Sequence, residues 1–195
     1  MSAEGLWVAP SAVRCALYVC WWWAFSTEVS VSDLGQTVID TVRRHLGEGY
    51  PAQVRASLDA LSEEQVWWRP NAQSNSVGNL VIHLCGSTRH FLGRGVGGSD
   101  YKRDRPREFA ERGPIPKENL RQLLDETVHE ADTILADLSP DRLLEVTDRA
   151  GDPFPVIALL LRVSHHWAIH TGQIVFAAKA LKEGVFHELW QKTMR

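Results

Sequence analysis

The sequence predicts an all-α fold, a single four-helix bundle, on three observations. Apolar residues recur at intervals of three or four in four long segments between residues 31 and 181. Capping residues, prolines or glycine-rich stretches mark the ends of these segments. The sequence shows no strand-like alternating run, internal repeat or low-complexity segment, and its 195 residues are enough for one domain with its own core.

The first predicted helix starts near Ser32 or Asp33, because either side chain can cap it. Pro51 lies inside the pattern and predicts a kink, because proline removes a backbone hydrogen bond. Residues 62–65 then open a short turn. The apolar stripe of this helix comprises Leu34, Val38, Val42, Leu46, Tyr50, Val54, Leu58 and Leu61.

The second predicted helix is capped by Ser76 and ends at the glycines of residues 93–98. Residues 99–116 are charged, contain proline and lack periodicity, which predicts a surface loop. The stripe of the second helix comprises Val77, Leu80, Val81, Leu84, Thr88 and Phe91.

The third predicted helix spans residues 117–138, and the fourth begins near Pro155, a residue favoured in a first helical turn. Between them we expect a short turn or helix at residues 139–141 and a loop at residues 146–153. The third stripe comprises Leu120, Leu124, Val128, Ala131, Leu135 and Leu138. The fourth comprises Ile157, Leu160, Leu161, Ser164, Ala168, Gly172, Val175, Phe176 and Lys179.

Residues 1–30 are interpreted as an N-terminal extension outside the fold, and residues 31–195 as the bundle domain. The apolar run at residues 16–25 is much shorter than the ~20 residues that a membrane span requires. Its length suits a signal peptide, but three consecutive tryptophans and the lack of an A-x-A cleavage pattern argue against one. We therefore expect a cytoplasmic protein without membrane contact, and a membrane-tethered protein is the least favoured alternative.

Composition excludes several classes of protein. A net charge of −3 argues against nucleic-acid binding, which needs clustered Lys and Arg. With 44% hydrophobic and 23% charged residues the chain is not disordered, and 3 cysteines do not make a disulfide framework. The sequence contains no phosphate-binding glycine motif, C-x-x-C or G-x-S-x-G.

Three histidines form a candidate metal site. His166 and His170 lie at i and i+4 on the fourth helix, so both side chains reach one side of it. The spacing alone is weak evidence, because 8 histidines give about 0.3 such pairs by chance. His83 lies between Leu80 and Leu84 on another helix and also leans inward. A metal site between facing helices is one hypothesis, and a hydrogen-bonded core histidine beside a chance pair is the alternative.

Other candidates are weaker. His90 shares the face of His83 but lies about 10.5 Å along the helix axis, so we expect it to line a pocket or cap the helix end. Cys85 points to another face and is interpreted as a buried, inert thiol. Trp67 and Trp68 are expected to cover the core, and the alternating charges of residues 102–108 indicate a solvated loop.

Two stretches, residues 79–86 and residues 166–174, resemble the DinB/YfiT-like superfamily of metalloenzymes. Residues 61–70 and 104–116 resemble one uncharacterised branch of it, and the resemblance covers about residues 34–181. It implies a four-helix bundle with a divalent metal near one end, held here by His83, His166 and His170. His165 departs from the pattern, because relatives often have a glutamate there that supports a ligand.

The resemblance also implies a function. Three neutral imidazoles leave open positions on an ion, as in catalytic sites, and they suit Zn, Ni or Fe alike. Such an ion activates water or a thiolate, and characterised relatives use a low-molecular-weight thiol such as mycothiol or bacillithiol for S-transfer or isomerisation. We therefore expect a metal-dependent transferase or hydrolase of a small-molecule substrate, forming a homodimer. The alternative is a non-catalytic metal-binding or stress-related binding module.

Overall fold

A computed structural model describes residues 30–113 and 115–184, so the predicted extension, Ser30 excepted, lies outside the described residues. Its helices are α1 (Val31–Arg44), α2 (Tyr50–Ala60), α3 (Glu63–Val66), α4 (Val77–Thr88), α5 (Arg105–Ala110), α6 (Lys117–Ala136) and α7 (Val156–Leu181). The four predicted long helices correspond to α1 with α2, α4, α6 and α7. Helix α4 packs against both α6 and α7, and α2 packs against α7, so the all-α bundle is confirmed.

The first helix is capped by Ser30, which lies two residues before Ser32, the earlier of the two predicted caps. Ser30 Oγ accepts a hydrogen bond from the Asp33 backbone N–H, and the Asp33 carboxylate accepts one from the Ser30 N–H, both at 3.0 Å. The predicted stripe is wrong in its first turn, where Leu34 is 59% exposed and Ile39 is buried instead. A spacing of four advances about 40° beyond each full turn, so an unbroken stripe at that spacing drifts off the core face.

A π-helical turn, His45–Gly49, joins α1 to α2 just before Pro51, the residue at which the sequence predicts a kink. Proline has no N–H to donate, and it occupies the first turn of α2, where none is needed. The wider turn also resets the helical phase, which returns Val54 and Leu58 to the core.

Helix α4 lies at the centre of the bundle. Ser76 caps it as predicted, and every residue from Val77 to Thr88 except Ile82 is buried. The helix continues through a π-helical turn, Arg89–Arg94, and the chain turns at Gly98, whose φ is +75°.

The structure contradicts the prediction of a surface loop at residues 99–116, and this is the largest difference from the predicted fold. The segment contains α5, capped by the Asp104 side chain, and this helix packs against α4. Glu108 on α5 is buried, and Arg103 beside it is nearly so. The alternating charges predicted a solvated loop, but Arg103 and Glu108 form an ion pair inside the protein.

Residues 137–184 follow the prediction with two differences. A 3-10 helix, Pro140–Leu144, follows α6, and the predicted loop includes a two-stranded antiparallel hairpin, β1 (Val146–Thr147) with β2 (Phe154–Pro155). Helix α7 buries Leu160 and Val175 as predicted, but the rest of its buried face differs from the predicted stripe and comprises Val156, Leu159, Val163, Trp167, Thr171, Ile174 and Ala178. The predicted members Leu161, Ala168 and Phe176 are exposed.

Helix α7 is apolar on two faces, and periodicity alone did not identify the one that packs. The outward face carries Leu161, Ile169 and Phe176, of which Phe176 is 75% exposed. Although α7 has 26 residues, neither it nor any other described helix combines the length and apolar composition needed to cross a bilayer.

Candidate metal centre

The structure brings together all three predicted ligands. His83 projects from α4, and His166 and His170 project from α7. The ring centroids lie 4.8 Å apart for His83 and His166, 5.0 Å for His83 and His170, and 4.4 Å for His166 and His170. One nitrogen from each ring lies within 4.8 Å of the other two, so a single ion could contact all three.

Packing between α4 and α7 places these rings. Trp167, between the two α7 histidines, points into the core, and its indole Nε1–H donates to Thr88 Oγ1 on α4 at 2.8 Å. This contact fixes how α7 is turned about its own axis. His166 and His170 consequently lie at the edge of the buried face, half-buried and beside His83.

A buried ion pair lies behind His83. His83 Nδ1 is 2.8 Å from Glu108 Oε2, and Arg103 donates to both oxygens of that carboxylate, at 2.7 Å and 2.8 Å. The side chains of His83, Glu108 and Arg103 are only 6%, 5% and 10% exposed. Arg103 Nη2 is also 3.1 Å from His83 Nδ1, but an ionised carboxylate only accepts hydrogen bonds, so we assign the Nδ1 proton to the bond with Glu108. This tautomer leaves the Nε2 lone pair free to face the other two histidines.

The start of α4 holds α5 in place behind His83. Asn79 is fully buried, and its amide donates to the backbone carbonyls of Glu108 at 2.9 Å and Glu111 at 3.0 Å. Gly86, one turn after His83, leaves room for the carboxylate, because a Cβ there would overlap Glu108 Oε1. Both residues belong to the stretch that carries the family resemblance, and here they position a glutamate.

His170 is oriented by its own helix. Its Nδ1 is 2.7 Å from the side-chain oxygen of Gln173, so the amide accepts the Nδ1 proton and leaves Nε2 free. His166 Nε2 lies 2.9 Å from His83 Nε2, while its buried Nδ1 has no hydrogen-bond partner among the described residues. Two nitrogens this close cannot both present bare lone pairs to each other, so a proton or a cation must lie between them. The residues present therefore fit a metal ion.

The electrostatics keep the two α7 imidazoles neutral. Burial, together with smaller contributions from repulsion by His170, His83 and Arg103, lowers the pKa of His166 to about 3. Burial also lowers the pKa of His170. Burial acts to raise the pKa of Glu108, but hydrogen bonds from His83 and Arg103 outweigh it and the net shift is downward. At neutral pH His166 and His170 are therefore neutral, and the Glu108 carboxylate behind His83 is ionised.

The other predicted candidates lie apart from this cluster. His90 Nε2 contacts the Ala150 carbonyl at 3.0 Å, and Cys85 is buried with its pKa raised to about 12 by burial. His165 is exposed and makes no hydrogen bond among the described residues, so the support expected from that position comes from Glu108 instead. Trp67 packs over Gly78, as predicted, whereas Trp68 is exposed.

Sequence reasoning missed Arg103, Glu108 and Gln173. Gln173 stands three residues after His170, a spacing that allows contact on one helix, and this was a usable signal. Glu108 had a weaker one: it lies in a segment that resembles one branch of the family, but nothing in the sequence places it next to α4.

Comparison with known proteins agrees with this fold. The family model described as the DinB superfamily matches residues 48–174. A DinB-like protein from Bacillus cereus ATCC 10987, solved by crystallography at 2.01 Å resolution, is similar in structure with a TM-score of 0.53 and 15% sequence identity. The similarity covers 68% of this chain and 86% of that one, and at this identity it indicates a shared fold alone. No curated protein sequence matches the chain.

Proposed function

The chain belongs to the DinB superfamily, and on this premise we propose that it is a metal-dependent enzyme acting on a small-molecule substrate. His83, His166 and His170 would hold one divalent ion, with Zn, Ni and Fe all compatible with imidazole ligands. The reaction class is S-transfer with a low-molecular-weight thiol, or a related hydrolysis, in the cytoplasm. The main support is that Glu108 and Gln173 each bind a histidine Nδ1, which leaves Nε2 free for a metal.

The bound ion would supply a Lewis acid that lowers the pKa of a coordinated water or thiol. Residues of this chain would orient the ligands of the ion. Glu108 holds the Nδ1 proton of His83 and so increases the basicity of its Nε2, while Arg103 keeps Glu108 ionised and fixed. Gln173 holds the ring of His170 in the matching orientation.

The surroundings of the site favour an enzyme over a closed structural site. Three imidazoles leave at least one position of a four-coordinate ion for water or substrate. A groove of about 580 Å³ runs along α7, and it is linked to the site through Gln173, which both lines the groove and contacts His170. Its other lining residues include Trp68, Leu80, Ile169 and Phe176, an apolar surface suited to a small organic molecule.

The test is elemental analysis of protein purified without a histidine tag. The wild type should contain about one ion per chain, and His83→Ala, His166→Ala and His170→Ala should each lose it, because two imidazoles hold an ion poorly. His129→Ala is the matched control, since His129 is an exposed histidine on α6. A screen with several low-molecular-weight thiols then tests for transfer.

Metal that survives loss of any one of the three histidines would refute the ligand assignment. Metal that depends on all three, in a protein with no thiol-dependent or hydrolytic activity, would instead support the non-catalytic alternative.

A further inference from the structure

Arg162 lies one helical turn before His166 on α7. Residues 162, 166 and 170 are spaced by four, so their side chains leave the same side of the helix. Arg162 is exposed, whereas both histidines are half-buried. The three side chains therefore form a row that leads from solvent to the candidate metal site.

Two aromatic rings hold the guanidinium of Arg162 in place. Its central carbon lies 4.2 Å from the centroid of the Phe91 ring and 5.8 Å from that of Phe154. Phe91 belongs to the π-helical turn after α4, and Phe154 belongs to β2. Stacking of this kind restrains a long side chain but leaves the N–H groups at the edge of the guanidinium available as donors.

The charge of Arg162 has no counterpart in the part of the chain that the structure describes, where no carboxylate lies within ion-pair distance of it. The other guanidinium at the site, Arg103, is neutralised by Glu108. A divalent ion together with Arg162 would therefore leave this part of the bundle positively charged. Such a field favours a negatively charged ligand.

We propose that Arg162 recognises the carboxylate of a small organic acid, while another donor atom of that acid binds the metal. The inference rests on the proposed function and adds the charge class of the substrate. A guanidinium pairs with a planar carboxylate through two parallel hydrogen bonds, which a lysine or a glutamine cannot reproduce. Arg162 and His166 are four residues apart, which is about 6 Å along the helix axis, so one small molecule can span the two positions.

The test compares an acid with its uncharged amide. Mercaptobutyrate and its primary amide are titrated into Co²⁺-loaded protein. Each ligand binds the cobalt ion as a thiolate and releases its thiol proton to solvent, and the visible absorption of the cobalt–thiolate bond reports binding. The acid should bind the wild type about tenfold more tightly than the amide. Arg162→Gln should retain Co²⁺ and bind the amide as before, but lose most of the preference for the acid.

Arg105→Gln is the matched control, because Arg105 also stacks on a ring at this end of the bundle, 5.2 Å from the centroid of Phe109. It should keep the preference. Equal preference in Arg162→Gln and wild type, or equal loss in both variants, would overturn the role of Arg162 while leaving the metal site intact. A wild type that takes up no Co²⁺ would overturn the metal proposal and this one together.

Discussion

Replacing Glu108 by glutamine should weaken metal binding by about 10–100-fold, which corresponds to about 1.4–2.7 kcal/mol. The variant keeps the size of the side chain and one acceptor oxygen, but it removes the charge that holds the Nδ1 proton of His83 at 2.8 Å. His83 Nε2 then becomes a weaker base and its ring orientation is less restricted. The affinity for Zn²⁺ is measured by competition with a chromophoric chelator.

The same substitution should also destabilise the metal-free protein, by about 3–5 kcal/mol. The Arg103 side chain is 10% exposed, and without Glu108 it is a buried charge with no partner. Unfolding in urea with a chelator present measures this loss of stability. The loss of stability then has to be separated from the loss of metal affinity.

A double variant, Arg103→Met with Glu108→Gln, separates the two effects. It removes both charges, so stability should return most of the way to that of the wild type, while metal affinity should stay low because no carboxylate faces His83. Glu126→Gln is the control: this carboxylate forms an exposed pair with Arg89 at 3.3 Å, so either quantity should change by less than about 1 kcal/mol. Wild-type Zn²⁺ affinity in Glu108→Gln, or recovery of affinity in the double variant, would refute the reasoning.

Further predictions concern the fold and the whole chain. Metal-free protein should lose stability as the pH falls from 7 to 5, because the unfolded chain protonates His166 near its ordinary pKa of 6.5 whereas the folded chain does so only near 3. For one fully buried histidine the free energy of unfolding would change by about 1.4 kcal/mol per pH unit, and we expect about half of that slope for this partly solvated group. Urea titrations at each pH measure the slope, and His166→Ala, which should lack it, is the control. Trp167→Phe should cost about 2 kcal/mol or more in the same assay, because it leaves a gap and removes the hydrogen bond to Thr88. Removing residues 1–29 should change the melting temperature by less than about 10 °C in a thermal scan, and a larger drop would mean that they pack against the core. Light scattering at micromolar concentration should show a dimer, and Phe176→Glu should yield a monomer if the exposed face of α7 is the contact; a monomeric wild type would contradict this prediction.

Much of the fold could be predicted because helix boundaries are encoded locally. Ser76 and Asn79 cap α4 through contacts three residues apart, and Pro155 precedes α7 where proline is favoured. The face of α7 that is buried could not be predicted from the sequence of that helix alone. Apolar side chains occur on both sides of that helix, and the indole of Trp167 bonding to Thr88 on another helix decides which side packs.

The residues of the candidate site also differ in whether local sequence predicts them. The pair of α7 histidines was visible because helical geometry converts a spacing of four into proximity. Their meeting with His83 depends on the bundle fold as well; the residue pattern left it as one of two hypotheses, and the family resemblance supplied the full set. Glu108 was missed because its contact with His83 spans 25 residues and depends on α5, a single short helix that has no apolar periodicity to reveal it.

The dependence of His83 on α5 has a consequence for tracing relatives of this chain. Arg103 lies five residues before Glu108 and binds both oxygens of its carboxylate. An insertion or deletion between the two residues would therefore break the pair, even though the sequence of this segment resembles a surface loop that tolerates changes in length. Proteins that support this histidine in the same way should therefore keep an arginine and a glutamate at that separation, while the surrounding charges vary freely. A search pattern joining R-x-x-x-x-E to the helical H-x-x-x-H-x-x-Q would separate them from bundle proteins that share only the histidines.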